Sequence, residues 1–304
     1  MDKNRFITGN TVGVLLALVV CALWGSLFPF VKIGYAAFHI VGGDIPSIVL
    51  FAGVRFTLSG VVLLLISAAK ERRLTLPSKI VMLPMALVAL TSIVLHYSFT
   101  YIGLSLGEGS KSAIIKQVGF LFLSCFAFLF DKADRFTIPK LLSGILGFVG
   151  IIVTGLDGTG FHFGTGDAVL ILASFCSVAS YILSKQAMVH MSPVLLVAYS
   201  QLLGGVVLCV GGLALGGRIT HVDTHAAAVF GYICAASIIA YTLWNTLLKY
   251  HSVSKLSVIK FAEPLFAVVF SGLLLNENVL RPTYGIALVI ILTAILLSHY
   301  KRRA

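Results

Sequence analysis

The chain has 304 residues, of which 59% are hydrophobic and only 11% are charged, whereas soluble domains average about 45–50% apolar and about 25% charged residues. A soluble fold cannot hide this much apolar surface, so part of it must face a solvent other than water, and a lipid bilayer is the obvious candidate. The composition therefore excludes a cytosolic enzyme, a disordered protein and a secreted disulfide scaffold. The formal net charge of +11 would suggest nucleic acid only if the basic residues lined a soluble face.

Ten apolar runs, each about 20 residues long, follow one another along the chain. Since about 20 apolar residues cross a bilayer as a helix, each run is a predicted transmembrane helix. The runs cover residues 11–34, 45–69, 80–103, 110–130, 137–156, 166–188, 193–216, 225–250, 255–275 and 282–300. The connections between them are short, which predicts an all-α membrane protein without a soluble domain.

The distribution of Lys and Arg over alternate connections predicts the orientation of these helices. With the N-terminus inside, the inner segments hold fifteen Lys and Arg residues and the outer loops hold three. Cytoplasmic loops are enriched in these residues, so the pattern predicts a multi-pass protein of the plasma (inner) membrane with both termini in the cytoplasm. It also accounts for most of the positive charge without nucleic acid as a partner.

A short internal repeat divides the chain near its middle. Residues 110–122 (SKSAIIKQVGFLF) and residues 254–266 (SKLSVIKFAEPLF) are identical at six of thirteen positions. We therefore expect two five-helix repeats, residues 11–156 and 166–300. Because five is odd, the second repeat enters the membrane from the opposite side, and such inverted repeats can rock around a central site to open it to each side in turn.

Ionisable residues inside the predicted spans are the candidates for substrate contact, because they are costly in a membrane and by default mark solute pathways. Lys116 and Lys260 occupy equivalent positions in the repeat and are the favoured pair. Two ammonium groups that converge from opposite sides would bind an anionic group such as a carboxylate or phosphate. The alternative is that each lysine reaches outward to its nearer membrane interface.

Five further residues complete the candidate site. Arg55 lies near the middle of the second run and either binds substrate or holds helices together, and His96 is either a ligand or a core histidine. Tyr97 and Tyr241 lie on spans that could supply hydrogen bonds to a solute. Glu263 follows Lys260 by three residues, on nearly the same helical face, and either neutralises that lysine or carries protons.

Two prolines inside the spans, Pro29 and Pro264, are candidate hinges because proline removes a backbone hydrogen bond and allows a kink. No cofactor is expected, since the segment at residues 107–112 lacks the full spacing of a phosphate-binding loop. No metal is expected either, because His221 and His225 in an outer loop lack the pattern of a metal-binding helix.

Several short motifs resemble the EamA-like branch of the drug/metabolite transporter (DMT) superfamily. They are Ala22-Leu-Trp-Gly-Ser26 in the first run, Val54-Arg-Phe56 in the second, and the ninth run from Glu263-Pro-Leu-Phe266 to Leu274-Leu-Asn-Glu277. The resemblance implies a ten-helix alternating-access carrier, often an exporter of amino acids or other small metabolites.

A second resemblance is shorter. Val258-Ile-Lys-Phe-Ala-Glu-Pro264 looks like a stretch of the sugar-phosphate translocators, in which a lysine of helix four and a basic pair of helix nine hold phosphate. Lys116 and Lys260 match those helices. Here, however, the motif stands in the second half of the chain instead of the first, and Phe261 follows Lys260 where the translocators have a basic pair. The resemblance therefore implies an organic anion more than a sugar phosphate.

Taken together, the sequence predicts a secondary transporter, an exporter or exchanger, of a small polar and anionic metabolite such as an amino acid or an organic anion. Its partners would be that solute and the bilayer; the sequence leaves the oligomeric state open, with a monomer as one alternative. Two alternatives remain at this point: a membrane-embedded enzyme that acts on a lipid head group, and a multispan receptor or channel.

Overall fold

The computed structural model describes residues 10–119, 122, 138–154, 156–157, 160–251, 256, 259–260, 262–278 and 281–298. Its helices in chain order are α1 (Asn10–Ala37), α2 (Ile45–Glu71), α3 (Lys79–Ser105), α4 (Gly109–Ile115), α5 (Ile138–Thr154), α6 (Thr165–Ala187), α7 (Pro193–Ala214), α8 (Thr224–Tyr250), α9 (Ala262–Leu275) and α10 (Pro282–Ser298). Between α5 and α6 a minimal antiparallel hairpin pairs β1 (Leu156–Asp157) with β2 (Gly160–Phe161).

Each helix coincides with one predicted run to within a few residues, apart from α4 and α9. The second half of the predicted run 110–130 and the start of the run 255–275 lie largely outside the described residues, as do both termini. The predicted orientation depends partly on basic residues of those termini.

Six of the described helices, α1, α2, α3, α6, α7 and α8, are long and apolar enough to cross a membrane. They have 22–27 residues in their apolar segments, and at 1.5 Å per residue this length exceeds the roughly 30 Å of a bilayer's hydrocarbon core. Large apolar side chains are exposed on the outside of the bundle, among them Leu65, Val210, Leu213 and Val289. Exposed apolar surface of this kind is stable in contact with lipid and unfavourable in contact with water.

Capping residues set where several helices begin. Asp44 accepts a hydrogen bond from the Ser47 amide at the start of α2, and Ser192 accepts one from Leu195 at the start of α7. Asp223 does the same for the Ala226 amide at the start of α8, and this hydrogen bond lowers the pKa of the Asp223 carboxyl group. In each case a polar side chain satisfies one of the free amides of a first helical turn.

Glycines allow α2 and α7 to approach each other closely along their whole length. A Cβ atom on Gly60 would lie 2.5 Å from the Leu202 backbone nitrogen, and one on Gly212 would lie 2.7 Å from the Leu50 nitrogen. Gly205 faces the Thr57 backbone at even shorter range. Small residues commonly serve membrane helices in this way, because they let the backbones touch.

Replacing Gly205 by alanine is therefore expected to destabilise the protein, since a methyl group there meets rigid backbone of α2. Overpacking of this kind costs about 1–3 kcal/mol, and sometimes more. Gly211 lies on the same helix with open space around it, so Gly211→Ala serves as the matched control and should leave the unfolding temperature in detergent unchanged or slightly raised. Equal unfolding temperatures for the two variants would contradict the close packing.

Contacts between the two halves follow a regular scheme. Helix α1 packs against α8 and α9, and α6 packs against α3 and α4. Helix α2 packs on α7, α4 on α9 and α5 on α10. If the helices of the first half are exchanged one by one with those of the second, this set of pairs is unchanged.

The middle of α3, residues Ala89–Leu95, has π-helical hydrogen bonding, which the sequence did not predict. Helix α7 lies close to this segment, since a Cβ atom on Gly204 would be 2.5 Å from the Cβ of Ile93. Short π-helical stretches inside α-helices are frequent at functional sites. Here the stretch lies beside the cavities described below.

Candidate functional site

A cavity opens in the middle of the bundle, between α1, α2, α3, α6, α8 and the segments around Lys116 and Lys260. Its volume, measured as the space open to the centres of water molecules, is about 50 Å³. Because one water needs about 10–15 Å³ by that measure, the space holds a few waters and a small solute would need some adjustment of its walls. Its lining comprises Trp24, Leu27, Phe28, Val31, Arg55, Ser92, His96, Tyr97, Thr100, Tyr101, Leu104, Lys116, Gln117, Ser177, Ser180, Tyr181, Tyr241, Lys260 and Glu263.

The predicted site residues meet in this cavity although they come from five different parts of the chain. All six predicted substrate contacts line it together with the predicted proton carrier: Arg55, His96, Tyr97, Lys116, Tyr241, Lys260 and Glu263. The two predicted hinges do not line it. Pro29 is buried inside α1 and Pro264 lies near the start of α9, the helix that packs against α1.

Lys260 forms an ion pair with Glu263, and both side chains are almost completely buried, at 6% and 5% exposed. The Lys260 ammonium also lies 3.2 Å from the centre of the Trp24 ring and 5.1 Å from the centre of the Trp244 ring. The negative face of an aromatic ring attracts a cation. The charge of Lys260 is thus balanced by a carboxylate and surrounded by indole rings.

Lys116 has a different environment. Its ammonium lies 5.3 Å from the centre of the Phe28 ring, and within the described part of the chain it forms no ion pair and no hydrogen bond. The two lysines therefore differ in their surroundings: the Lys260 amine is paired with a carboxylate, and the Lys116 amine is paired with none of the described residues.

Arg55 is fully buried and tied to two other helices. Its Nε donates a hydrogen bond of 2.8 Å to the Ser237 hydroxyl of α8, and its Nη1 contacts the Tyr101 hydroxyl of α3. The guanidinium group also lies 5.4 Å from the centre of the Tyr97 ring. This geometry supports both interpretations of Arg55, because a group that joins α2, α3 and α8 still lines the cavity.

His96, Tyr97 and Tyr241 form the polar wall of the cavity. The Nδ1 of His96 lies 2.8 Å from the Ala173 carbonyl oxygen, so in the neutral tautomer that protonates Nδ1 this atom donates and Nε2 remains an acceptor. The rings of Tyr97 and Tyr241 have their centres 6.2 Å apart, and Trp24 packs edge-on against Tyr241 at 5.6 Å.

Sequence reasoning did not select several of the lining residues. Trp24, Thr100 and Gln117 each present a buried polar atom without a hydrogen-bond partner in the described structure. Thr100 follows Tyr97 by three residues on one face of α3, and this spacing could have indicated it. Gln117 directly follows Lys116 in the sequence.

The cavity as a whole carries more positive than negative charge. Three cationic side chains and a single carboxylate line it, and apolar side chains such as Leu27 and Val31 cover another part of the wall. Among the described residues, no group of three or more His, Cys, Asp or Glu side chains could hold a metal ion. The arrangement suits a small solute with an anionic group and an apolar part.

A family comparison decides what kind of protein this is. The model of the EamA-like transporter family matches residues 11–156 and again residues 164–299. The chain belongs to the EamA-like transporter family. It is therefore a multi-pass membrane transporter with a small-molecule substrate, and the resemblance drawn from the short sequence motifs is confirmed. Membership in this family also excludes the alternative of an enzyme that acts on lipid head groups.

Individual relatives of this EamA-like protein carry names of the same kind. It is 25% identical to an "Uncharacterized transporter" of Archaeoglobus fulgidus over 88% of this chain and 91% of the relative. It is 27% identical to the "Uncharacterized transporter YvbV" of Bacillus subtilis, covering 96% and 92%. It is 25% identical to a "Probable amino-acid metabolite efflux pump" of Escherichia coli, covering 95% of both chains.

One solved crystal structure has the same overall fold as this EamA-like chain. The two superpose with a TM-score of 0.64 at 16% sequence identity, and the match covers 96% of this chain and 97% of the other. At this identity the likeness concerns the fold alone.

Proposed function

We propose that this protein is a secondary transporter that works by alternating access and moves small metabolites of the amino-acid class, as an exporter or exchanger. The observation that carries the proposal is the central cavity, in which a lysine without an ion pair among the described residues, a buried ion pair and apolar side chains face one another. The name of the Escherichia coli relative, an amino-acid metabolite efflux pump, points to the same solute class.

The proposed mechanism depends on two inverted five-helix repeats, residues 11–156 and 166–300. Two observations support them. The family model matches the chain twice in tandem, and the helix pairs between the halves are unchanged when α1 to α5 are exchanged with α6 to α10. Two related halves around one cavity can rock against each other and expose it to each side in turn.

The proposed mode of binding follows from the difference between the two lysines. The carboxylate of the solute would pair with Lys116, whose amine forms no ion pair among the described residues. The solute's ammonium group would lie toward Glu263, the one carboxylate among the described lining residues, and would share it with Lys260. The other polar groups of the solute would form hydrogen bonds with Arg55, His96, Tyr97 and Tyr241.

In the proposed orientation the protein lies in the inner membrane and both of its termini are in the cytoplasm. It relies on the excess of Lys and Arg in one set of connections. Six residues, Lys32, Glu108, Lys111, Asp167, Glu277 and Arg281, pair with one another at one end of the bundle. We call this the charged end, and in the proposed orientation it faces outward.

Uptake by proteoliposomes tests the solute class. We expect saturable uptake of one or more neutral or acidic amino acids from a panel of the twenty, and little uptake of lysine, arginine or choline, because the cavity carries a net positive charge. Protein-free liposomes and liposomes with heat-denatured protein are the controls. Preferential transport of choline or arginine would contradict the proposed binding mode.

A further inference from the structure

A second, smaller cavity lies next to the central one, between α3, α6, α7 and α8. Ser92 and Tyr241 line both cavities, so these two side chains form the wall that separates them. By the same measure the small cavity has a volume of about 10 Å³, which is room for about one water. Its remaining lining is Val88, Ile93, Ser184, Leu196, Val197, Ser200, Gln201 and Asn245.

Three buried polar side chains around this cavity have polar atoms without partners in the described structure. They are the Ser200 hydroxyl, both ends of the Gln201 amide and the carbonyl oxygen of the Asn245 amide. The side chains are only 3%, 1% and 6% exposed. The other end of the Asn245 amide donates to the Tyr241 backbone oxygen at 3.0 Å, which holds Asn245 in place.

Such groups are costly in a folded protein, because each has lost its hydrogen bonds to water and gained none in return. Stability alone would favour apolar side chains of the same size at these positions. Three of them around one small space therefore suggest that the space receives a polar group. Since donors and acceptors are both present and no charged side chain is among the lining residues, that group is uncharged.

The position of the small cavity gives it a role in the path of the solute. The central cavity extends toward the charged end through Val31 and Leu104. Gln201 lies in the first half of α7, two residues after Tyr199, and Asn245 lies near the end of α8. The start of α7 is at the opposite end of the bundle, because Tyr199 hydrogen-bonds there to the Thr75 backbone after the end of α2.

The π-helical part of α3 lies at the wall between the two spaces. It contributes Ser92 to both cavities and Ile93 to the smaller one. π-Helical turns are rare and occur mostly as single turns inside α-helices, frequently at functional sites. Movement of this segment together with Tyr241 would join the two cavities.

We infer that Ser200, Gln201 and Asn245 form a second polar subsite, which takes an uncharged hydrogen-bonding group of the solute on its way between the central cavity and the end of the bundle opposite the charged end. This inference rests on the proposed function. A water molecule has the same hydrogen-bonding chemistry, so the test separates a subsite that only holds water from one that the solute uses.

Access of water is measured by cysteine labelling and needs no substrate. The five native cysteines are replaced by alanine, and Ser200→Cys is compared with Ser59→Cys, a fully buried serine whose hydroxyl contacts the Cys234 backbone oxygen. Methyl methanethiosulfonate reacts with the thiolate, which forms only where water reaches the sulfur. We expect Ser200→Cys to react at least about tenfold faster; equal rates would overturn the subsite whatever the protein transports.

Use of the subsite by the solute is measured with Gln201→Met, which keeps the size of the side chain and removes its polar atoms. With the amino acid that wild-type proteoliposomes take up fastest, we expect at least about a tenfold lower transport rate. The thermal shift that this amino acid induces in detergent and the unfolding temperature should not fall. The control is Thr246→Val on α8, whose hydroxyl is already bonded to the Thr242 oxygen at 2.7 Å.

Fast labelling of Ser200→Cys together with normal transport by Gln201→Met would mean that the space holds water only, and would overturn the inference. A wild-type protein that transports none of the twenty amino acids would instead overturn the proposed function, and with it the use of the subsite by such a solute. The two failures are therefore distinguishable.

Discussion

Replacing Glu263 by alanine should destabilise the folded protein by about 3–5 kcal/mol, because it leaves the Lys260 ammonium buried without its carboxylate. The indole rings of Trp24 and Trp244 compensate only a part of this loss, since a cation–π contact contributes about 0.5–2 kcal/mol. The measurement is thermal unfolding of the purified protein in detergent.

The double variant Lys260→Met/Glu263→Leu is the control for this prediction. It removes both charges and leaves an apolar pair of similar volume, and such replacements are often neutral or stabilising. We therefore expect the double variant to unfold near the wild-type temperature but to have lost amino-acid uptake. If Glu263→Ala were as stable as wild type, the ion pair between Lys260 and Glu263 would not contribute to the stability of the fold.

Glu263→Gln addresses the predicted role of Glu263 as a proton carrier. The amide keeps the shape of the side chain and cannot release a proton. If Glu263 couples transport to protons, uptake by this variant should no longer respond to a pH gradient across the proteoliposome membrane. If Glu263 only neutralises Lys260, the variant should lose stability and its remaining uptake should keep the wild-type response to the gradient.

Replacing Lys116 by methionine should lower amino-acid uptake about 10- to 100-fold, because a hydrogen bond to a charged group contributes about 1.5–3 kcal/mol. The unfolding temperature should not fall, since the Lys116 amine pairs with no group in the described structure. This contrast with Glu263→Ala follows from the different environments of the two lysines. It is measured by initial uptake rates together with thermal unfolding.

Two further variants make this result specific. Lys70→Met removes an exposed lysine from the last turn of α2 and should leave uptake unchanged. Lys116→Arg keeps the positive charge and should retain more uptake than Lys116→Met. Normal transport by Lys116→Met would remove Lys116 from the binding site.

Much of the fold could be predicted because the bilayer imposes a simple rule on the sequence. A chain that must satisfy every backbone hydrogen bond internally forms helices of about bilayer length, and long apolar runs such as those of α2 and α8 reveal them directly. The π-helical stretch of α3 could not be predicted. It depends on how α7 packs against Ile93, and no local pattern records that contact.

Several residues of the candidate site could be predicted because burying a charged side chain in a membrane is energetically costly. Because ionisable side chains avoid lipid, those deep within spans are expected to face the protein interior, and Arg55, Lys116 and Lys260 all line the central cavity. The side chains that these residues contact could not be predicted from the sequence in the same way. Arg55 contacts Tyr101 and Ser237, which are 46 and 182 residues away along the chain. Only Glu263, three residues from Lys260, was visible locally.

Counterflow in proteoliposomes tests alternating access most directly. Vesicles are loaded with an excess of the unlabelled amino acid that the protein takes up fastest, and entry of the labelled form is followed after dilution. A carrier with one site that opens to each side in turn should accumulate label transiently above its external concentration. Flux that is neither accelerated by internal solute nor saturable would contradict the account and indicate a channel.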